Sequence, residues 1–505
     1  MDHLCSEDDN IANGHIVMLP FMAHGHLIPF LSLARTLRWR HPNLTISIAT
    51  TPLNVRYLRS TMASGESQEI LLKELYFCSS DHGLPPDTDN TENLPLNLVG
   101  VLFESSVSLA GPLERLLSEI SAAEGHKPVC IISDVFFGWS VEVARRFGIK
   151  CFSFSTGGAY GTLAYVSIWL NLPHRSTDSD EFAVPGFPEQ CRFHRSQLHR
   201  FIRAANGTDP WSRFFQVQIA LSLTSDGWIC NSVEEIEPLG LDLLRNYLKL
   251  PVWPTGPLLP SSMLGNKFQS SSISRVISTE RAGKKPGVPL EKCTEWLNSH
   301  RLDSVLYISF GSQNTISASQ MRALAVGLEA SGKPFIWVIR PPLGFDMKGE
   351  FRSEWLPEGF ERKVTDSNQG LLVRTWAPQL GILSHKSTRA FLSHCGWNSV
   401  MESLSQRVPI IGWPMAAEQA YNSKMMVEEM GVCMELARGV ENEIDSGHVK
   451  RVVELVMENV GKGQDMKKKA IEIGEKIGAA MRIDGGIKGS SLKALDDFVT
   501  TILSS

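Results

Sequence analysis

The first half of the chain alternates short apolar runs with longer amphipathic stretches. Residues 15–20 and 45–50 are apolar enough to form buried strands, and the stretch between them predicts a helix from about 29 to 40. A strand, a helix and a second strand in this order predict a βαβ unit and therefore a parallel sheet. Residues 129–134 and 227–232 are further apolar runs that we assign to the same sheet.

The pattern is interrupted between residues 256 and 290, where Ser, Gly, Pro and Lys dominate and no period is sustained. Beyond this predicted linker the alternation restarts. Its elements are expected near residue 296 and at 305–310, 319–330, 334–339 and 370–373. The pattern predicts an α/β protein of two Rossmann-like domains that face each other across a cleft. The expected boundaries are 1–255 and 291–485, with a last helix in 486–505.

Composition narrows the class of protein without identifying it. The chain has 505 residues, too many for one ordinary core, of which 43% are hydrophobic and 20% charged. The net charge of −5 gives no reason to expect a nucleic acid or an anionic membrane as a partner. Nine cysteines, none in a CxxC pair, fit a reducing compartment and argue against a zinc knuckle.

The N-terminal residues are acidic and polar, unlike a secretory signal. No apolar run reaches the length of a membrane-spanning helix. We therefore expect a cytoplasmic protein in which the sequons at Asn43 and Asn206 stay unglycosylated.

Residues 376–419 carry the strongest chemical signal in the chain. Pro378 follows Trp376 and Ala377, which holds the backbone off helix there and leaves an indole free to stack on a base. His394 and the CGWNS that follows it lie between an apolar run and a helical stretch. Polar groups at the N-terminus of a helix meet free N–H groups and a dipole that favour phosphate. The segment therefore predicts a nucleotide-diphosphate site.

Over its whole length and spacing, this segment resembles the nucleotide-sugar box of plant family 1 UDP-dependent glycosyltransferases. The resemblance implies the GT-B form of the fold, with the acceptor bound by the first domain, the UDP-sugar by the second, and the last helix returning to the first. It also implies roles for the residues of the box. Trp376 would stack on uracil with Ala377 and Gln379 beside it, Glu402 would bind the ribose, His394, Asn398 and Ser399 would hold the diphosphate, and Trp397, Glu418 and Gln419 would contact the sugar.

A second constellation lies in the loop after the first predicted strand. His24 and His26 follow the carboxyl end of that strand, where parallel α/β sheets bind ligands. A histidine there can act as a general base, and Asp134, at the end of another strand of this half, can orient it. The residues alone do not choose between the two histidines. The GHLIP segment is similar to the catalytic loop of the plant enzymes, which implies that His26 is the base and Asp134 its partner.

Thr156 and Ser312 lie at the ends of two further predicted strands. Both positions resemble positions at which the family binds the sugar donor. The implied reaction is an inverting transfer in which an acceptor oxygen attacks the anomeric carbon of an α-linked UDP-sugar and a β-glycoside forms. By the same resemblance, Gln419 and Trp397 favour glucose as the sugar. We expect no metal and no cofactor besides the donor substrate, and a monomer without a nucleic-acid or membrane partner.

The acceptor is the least defined part of this interpretation. Aromatic side chains in the loops of the first half suit a flat, hydrophobic small molecule, and Ala416 stands where many relatives carry an aromatic residue. The aromatic candidates are Phe136, Phe137, Trp139, Phe182, Phe187 and Phe193. We favour a phenolic such as a flavonoid, with a terpenoid as the alternative.

Other function classes fit the residues less well. A non-catalytic UDP-sugar-binding protein would keep the box and leave His26 idle. A UDP-sugar epimerase or hydrolase would require a bound nicotinamide cofactor, or turnover of UDP-sugar without an acceptor. No GxGxxG follows a strand, so a dinucleotide dehydrogenase lacks support. Residues 327–333 match the phosphate-loop pattern GxxxxGK, but Pro334 replaces the Ser or Thr that binds magnesium. The DxD patterns at 87–89 and 178–180 are interpreted as solvated loop carboxylates.

Overall fold

In the computed structural model, the chain folds into two α/β halves, each built around a parallel sheet. The structure describes residues 14–62, 66–92, 94–260, 263, 287–347 and 349–504. Most of the predicted linker, residues 261–286 except 263, therefore lies outside the described residues. The two sheets and their helices confirm the predicted fold of two Rossmann-like halves.

The first sheet has seven parallel strands in the order β3-β2-β1-β4-β5-β8-β9, and a short antiparallel hairpin, β6–β7, lies outside it. Its strands are buried because helices cover both faces, which explains the continuous apolar runs in the sequence. The elements are β1 His15–Leu19, α1 His24–Arg40, β2 Thr45–Thr50, α2 Pro52–Thr61, β3 Ile70–Glu74, α3 Val99–Ser105, α4 Ala110–Glu124, β4 Cys130–Asp134, α5 Trp139–Phe147, β5 Lys150–Ser155, α6 Ala159–Asn171, β6 Glu181–Ala183, β7 Arg192–His194, α7 Arg200–Ala204, α8 Pro210–Ser222, β8 Gly227–Cys230, α9 Pro238–Leu248 and β9 Val252–Pro254.

The second sheet has six parallel strands in the order β12-β11-β10-β13-β14-β15. A two-stranded hairpin, β16–β17, connects it to the last helix. The elements are α10 Leu290–Asn298, β10 Val305–Ser309, α11 Ala318–Ser331, β11 Phe335–Ile339, α12 Phe360–Asp366, β12 Gly370–Arg374, α13 Gln379–Leu383, β13 Thr388–Ser393, α14 Trp397–Ser405, β14 Ile410–Gly412, α15 Gln419–Met425, β15 Cys433–Glu435, α16 Ser446–Met457, α17 Gly461–Ala480, β16 Ile483–Asp484, β17 Ile487–Lys488 and α18 Ser490–Leu503.

Each sheet reverses its strand order beside its first strand, between β1 and β4 and between β10 and β13. The loops that leave the carboxyl ends of two such strands diverge and leave a crevice. In the first sheet these ends lead to His26 and Asp134, and in the second they lead to Ser312 and His394. Sheet topology alone therefore brings the predicted residues to two crevices.

Helix α1 begins at His24, five residues earlier than predicted, so that Pro29 lies inside it. Proline usually marks the first turn of a helix, which is why the pattern placed the start too late. Pro29 has no N–H to give to the carbonyl of Gly25, four residues before it. The helix tolerates the loss of this hydrogen bond because Gly25 lies in the first turn, at the N-terminal end of the helix.

Helix α18 packs against the first half although it follows the second half in the chain. Phe498 is fully buried, and its ring centre lies 5.1 Å from that of Phe152 and 5.4 Å from that of Trp253. The indole N–H of Trp253 donates to Asp497 at 2.7 Å. The end of the chain thus closes the core of the first half. Among the described helices, none is long and apolar enough to span a bilayer.

We predict that Phe498→Ala destabilises the first half. Truncating a buried Phe removes its contacts and leaves a cavity, which costs about 3–5 kcal/mol of unfolding free energy. Urea unfolding followed by tryptophan fluorescence would measure this loss. Lys493→Ala, at an exposed position of the same helix, should change the stability by less than about 0.5 kcal/mol. Equal midpoints for the two variants would mean that α18 does not close this core.

Candidate active site

His26 and Asp134 form a hydrogen-bonded pair at the crevice of the first sheet. Nδ1 of His26 lies 2.6 Å from Oδ2 of Asp134, and the other carboxylate oxygen accepts the backbone N–H of Phe136 at 3.1 Å. The carboxylate is 1% exposed and the imidazole 23% exposed. Asp134 therefore fixes the imidazole ring and leaves its Nε2 as the nitrogen that can take a proton from a substrate.

The surroundings of His26 favour its protonated form. Burial alone would lower the pKa of His26, but the charge and hydrogen bond of Asp134, with the charge of Glu418, raise it above the usual 6.5. Burial raises the pKa of Glu418, and the charge of His26 is among the groups that oppose this rise. The pair can therefore accept a proton and keep the resulting imidazolium stable.

His24, the other histidine that the residues left open, has different surroundings. It is 8% exposed and its ring stacks on Tyr57 with centres 3.8 Å apart. Its nearest carboxylate is Glu92, at 3.7 Å. Of the two histidines, His26 is thus the one that a carboxylate orients at hydrogen-bonding distance in the crevice.

The N-terminus of helix α14 lies at the crevice of the second sheet. Cys395 adopts a left-handed conformation with φ of 63°, which turns the chain from β13 into the helix. The first residues of a helix have no partners for their N–H groups within it, so this end attracts an anion. The predicted diphosphate residues therefore lie where the backbone favours negative charge.

His394 lies beside that helix end and is neutral at physiological pH. Burial, helped by the charge of Arg340, lowers the pKa of His394 to about 4. Its Nδ1 has no hydrogen-bond partner among the described residues. A Cβ on Gly311 or Gly396 would lie within 2.6 or 2.5 Å of its Nε2. The imidazole thus fits into a space that exists because both neighbours are glycines.

Arg340 is a residue of this site that the sequence analysis missed. It follows β11 and donates to the carbonyls of Gly311, of Ser312 at 2.8 Å and of Thr375 at 3.1 Å. Its position directly after a strand, at the carboxyl edge of the sheet, was the signal that could have revealed it.

Gln379 connects the residues predicted to bind the nucleoside and the phosphates. Its amide N–H groups donate to Ser399 at 3.0 Å and to Glu402 at 2.6 Å, and its oxygen accepts the Tyr307 hydroxyl at 3.2 Å. The structure therefore brings Gln379, Ser399 and Glu402 together. Trp376, three residues before Gln379, is partly exposed, as a ring that stacks on a base has to be, and Ala377 is buried.

The three residues predicted to contact the sugar differ in their hydrogen-bond partners. The indole N–H of Trp397 donates to the carbonyl of Asn231 in the first half at 2.5 Å, so this side chain lies between the two halves. Glu418 accepts the backbone N–H of Trp397 and the side-chain amide of Asn422. The amide oxygen of Gln419 accepts two backbone N–H groups and closes its own loop. Of these three residues, Glu418 is the one whose charge raises the pKa of His26.

The predicted acceptor residues separate into two groups. Phe136 is partly exposed, with its ring 5.6 Å from that of His26, and Ala416 is partly exposed as well. Phe137 and Trp139 lie in the core of the first half, so the structure does not bring them to the site. Most of the remaining aromatic candidates are also in this core, namely Phe182 and Phe193, while Phe187 packs against it.

Aromatic side chains from three helices form an aromatic wall with Phe136. Phe103 of α3, Tyr165 of α6 and Phe215 of α8 lie with their ring centres 5.7, 6.0 and 5.2 Å from that of Phe136. Of these, Tyr165 is partly exposed, whereas Phe103 and Phe215 are buried in the core of the first half. The predicted acceptor residues were assigned to loops, so these helical neighbours of Phe136 were not among them. The spacing of aromatic residues along each helix was the only sequence pattern that pointed to them, and it does not show which face of the helix lies toward the site.

Three other predictions concern residues at the ends of strands, an acidic loop and a possible metal site. Thr156 is partly exposed and its carbonyl accepts from Asn231 at 3.3 Å, while Ser312 is exposed. The interpretation of Asp89 as a solvated carboxylate was wrong, since it is 5% exposed and accepts the backbone N–H of Leu53 at 2.9 Å. Within the described ranges, no cluster of His, Cys, Asp and Glu could hold a metal ion.

Comparisons with known proteins agree with this arrangement. A family model described as "Glycosyltransferase, N-terminal domain" matches residues 12–260, and one described as "UDP-glucoronosyl and UDP-glucosyl transferase" matches residues 279–469. The chain is 44% identical to UDP-glycosyltransferase 92A1 of Arabidopsis thaliana over 96% of each chain. It is 46% identical to Crocetin glucosyltransferase 3 of Crocus sativus over 90% of this chain and 93% of the other.

A solved structure has the same fold over nearly the whole chain. The crystal structure of UGT73P12 of Glycyrrhiza uralensis, complexed with glycyrrhetinic acid 3-O-monoglucuronide, is similar with a TM-score of 0.80. The two sequences are 27% identical, and the similarity covers 98% of this chain and 96% of the other.

We predict that Gly161→Ala weakens the binding of UDP-glucose. A Cβ at Gly161 would lie 2.2 Å from Oδ1 of Asn422, whose amide holds Glu418 and the Cys395 carbonyl. Displacing Asn422 by a clash of this kind costs about 1–3 kcal/mol, and 1.4 kcal/mol corresponds to about tenfold in affinity.

Titration calorimetry with UDP-glucose would measure the effect of Gly161→Ala. Gly111→Ala is the matched control, because a Cβ there would meet its nearest atom at 3.7 Å. Unchanged affinity in Gly161→Ala would show that Asn422 does not position Glu418 for the donor.

Proposed function

Because this chain belongs to the plant family 1 UDP-glycosyltransferases, we propose that it transfers glucose from UDP-glucose to a hydroxyl group of a small hydrophobic plant metabolite. The product would be a β-O-glucoside. The observation that carries the proposal is the 2.6 Å pair of His26 and Asp134, next to an aromatic wall and opposite the N-terminus of α14.

In the proposed mechanism, Nε2 of His26 removes the proton of the acceptor hydroxyl as its oxygen attacks the anomeric carbon. Asp134 stabilises the imidazolium that forms, since its buried carboxylate stays hydrogen-bonded to Nδ1. Attack on the face opposite to the leaving group breaks the bond between the anomeric carbon and the phosphate oxygen, and it inverts the configuration. A UDP-sugar with an α linkage therefore gives a β-glycoside.

The leaving UDP needs positive charge and hydrogen-bond donors, and the second half supplies both. The N-terminus of α14 offers backbone N–H groups, and His394 lies beside it as a neutral ring. Arg340 adds a guanidinium whose charge reaches His394. These groups are in place before the reaction, so they stabilise the developing charge without rearranging. We propose that the reaction needs no metal or cofactor, and that the enzyme works as a monomer in the cytoplasm.

For the acceptor, we propose a phenolic compound such as a flavonoid. The support is the set of aromatic rings around Phe136, which suits a flat conjugated molecule whose hydroxyl reaches His26. A terpenoid is the alternative. Crocetin joins the panel of test compounds because a similar chain is named for it. A non-catalytic UDP-sugar-binding protein is less favoured, because the oriented His26 would then serve no purpose.

The proposal predicts that His26→Ala abolishes glucoside formation while the protein still binds UDP. His24→Ala should keep at least a large part of the activity, because His24 lacks the partnership with Asp134. The measurement is mass-spectrometric detection of products from UDP-glucose and a panel of phenolics, terpenoids and crocetin. Binding of UDP-glucose without modification of any acceptor would favour the binding protein, and loss of activity in His24→Ala instead of His26→Ala would reassign the base.

The raised pKa of His26 predicts the pH dependence of the reaction. A general base must be unprotonated, so kcat/KM should fall as the pH decreases through a value above 6.5. Asp134→Asn removes the charge that raises this pKa and leaves the burial that lowers it, so the acidic limb should move to lower pH while kcat falls. Profiles from about pH 5 to pH 9 would test this. An acidic limb that stays in place in Asp134→Asn would argue against His26 as the titrating base.

A further inference from the structure

The carbonyl of Gly25, in the first turn of helix α1, does not accept the backbone hydrogen bond that an α-helix normally provides. In an α-helix this carbonyl would accept the N–H of residue 29, but residue 29 is proline and carries none. A backbone carbonyl at this position is a strong acceptor that needs another partner. Gly25 is exposed on the side of the cleft and directly precedes His26.

The partner comes from the other half of the molecule. The side-chain amide of Asn398 donates to the carbonyl of Gly25 at 3.0 Å. Asn398 is the second residue of α14, the helix whose N-terminus is proposed to receive the diphosphate. One hydrogen bond thus joins the backbone next to the proposed base to the helix that would hold the leaving group.

The two halves also meet through other side chains on both sides of this bond. Trp397 donates to Asn231, and Gln313 donates to Thr91. These contacts can hold the halves together, but neither involves a residue adjacent to His26. The bond from Asn398 to Gly25 is the one that acts on the start of α1, where His26 is held.

We propose that Pro29 and Asn398 form one positioning device for the transfer reaction. Because Pro29 has no N–H, no helical hydrogen bond from residue 29 reaches the Gly25 carbonyl. The side-chain amide of Asn398 donates to this carbonyl instead while the two halves are in contact. The bond sets the distance between His26 and the end of α14. This inference rests on the proposed function, because the two ends that it aligns are the general base and the site of the leaving UDP.

Alignment of this kind affects the chemical step more than the binding of the donor. The acceptor oxygen, the anomeric carbon and the leaving oxygen must lie in line, and an error of about 1 Å can cost a hundredfold in rate. Pro29→Ala restores an N–H that competes with Asn398 for Gly25. We expect kcat to fall about tenfold, with little change in the KM for UDP-glucose.

The same substitution has the opposite effect on the helix itself. An alanine in place of an internal proline restores a helical hydrogen bond, so Pro29→Ala should not lower the melting temperature by much, despite the smaller side chain. A decrease of kcat without a decrease of stability would separate positioning from a structural role. Pro52→Ala is the matched control, because Pro52 is the first residue of α2, where a missing N–H removes no helical bond.

A double-mutant cycle tests whether Pro29 and Asn398 act through one contact. Asn398→Ala should lower kcat, and adding Pro29→Ala to it should cause no further loss, because the contact is already absent. Independent effects that multiply in the double variant would overturn the proposal. So would a Pro29→Ala variant with the kcat of the wild type.

A second measurement does not depend on turnover. Hydrogen exchange of peptides that cover residues 397–405, with UDP bound, should be faster in Pro29→Ala and in Asn398→Ala than in the wild type and Pro52→Ala. Unchanged exchange in Pro29→Ala would also overturn the proposal. If the wild type glucosylates no acceptor, the proposed function fails, and this exchange experiment still decides whether Pro29 controls the contact.

Discussion

The site depends on a constraint of parallel sheets: a strand order that reverses beside the first strand opens a crevice at the carboxyl ends of two strands. This protein has two such sheets, and their crevices face each other. The proposed base then comes from one sheet, through β1 and β4, and the helix proposed to receive the diphosphate comes from the other, through β13. The proposed chemistry therefore needs residues of both halves.

Charge is arranged differently in the two crevices. A buried carboxylate holds His26, and it raises the pKa of that ring despite burial. His394 is buried near a guanidinium, and both factors lower its pKa to about 4. The first histidine is therefore suited to take up a proton, whereas the second stays neutral beside the proposed site of the leaving group. The pKa of the two imidazoles differs because Asp134 is the neighbour in one crevice and Arg340 in the other.

The two halves approach each other closely at the start of helix α6, where Gly158 directly precedes the helix and Gly161 lies in its first turn. A Cβ on Gly158 would come within 2.7 Å of the ring of Trp397, and one on Gly161 within 2.2 Å of Asn422. The contacts include polar bonds to backbone carbonyls, such as that of Asn231, so they fix direction as well as distance. Their geometry could not be predicted, because each contact joins residues that lie far apart in the chain.

Local apolar runs were enough to predict several strands of both sheets, and the unbroken segment from 376 to 419 was enough to identify the family. The sequence also placed Asp134 at the end of one strand and His26 in the segment that follows another. Only the tertiary structure decided which aromatics surround His26, that Phe137 and Trp139 belong to the core, that Arg340 ties three loops together and that helix α1 runs through Pro29. These outcomes depend on which surfaces pack together, and packing is decided by residues distant in the chain.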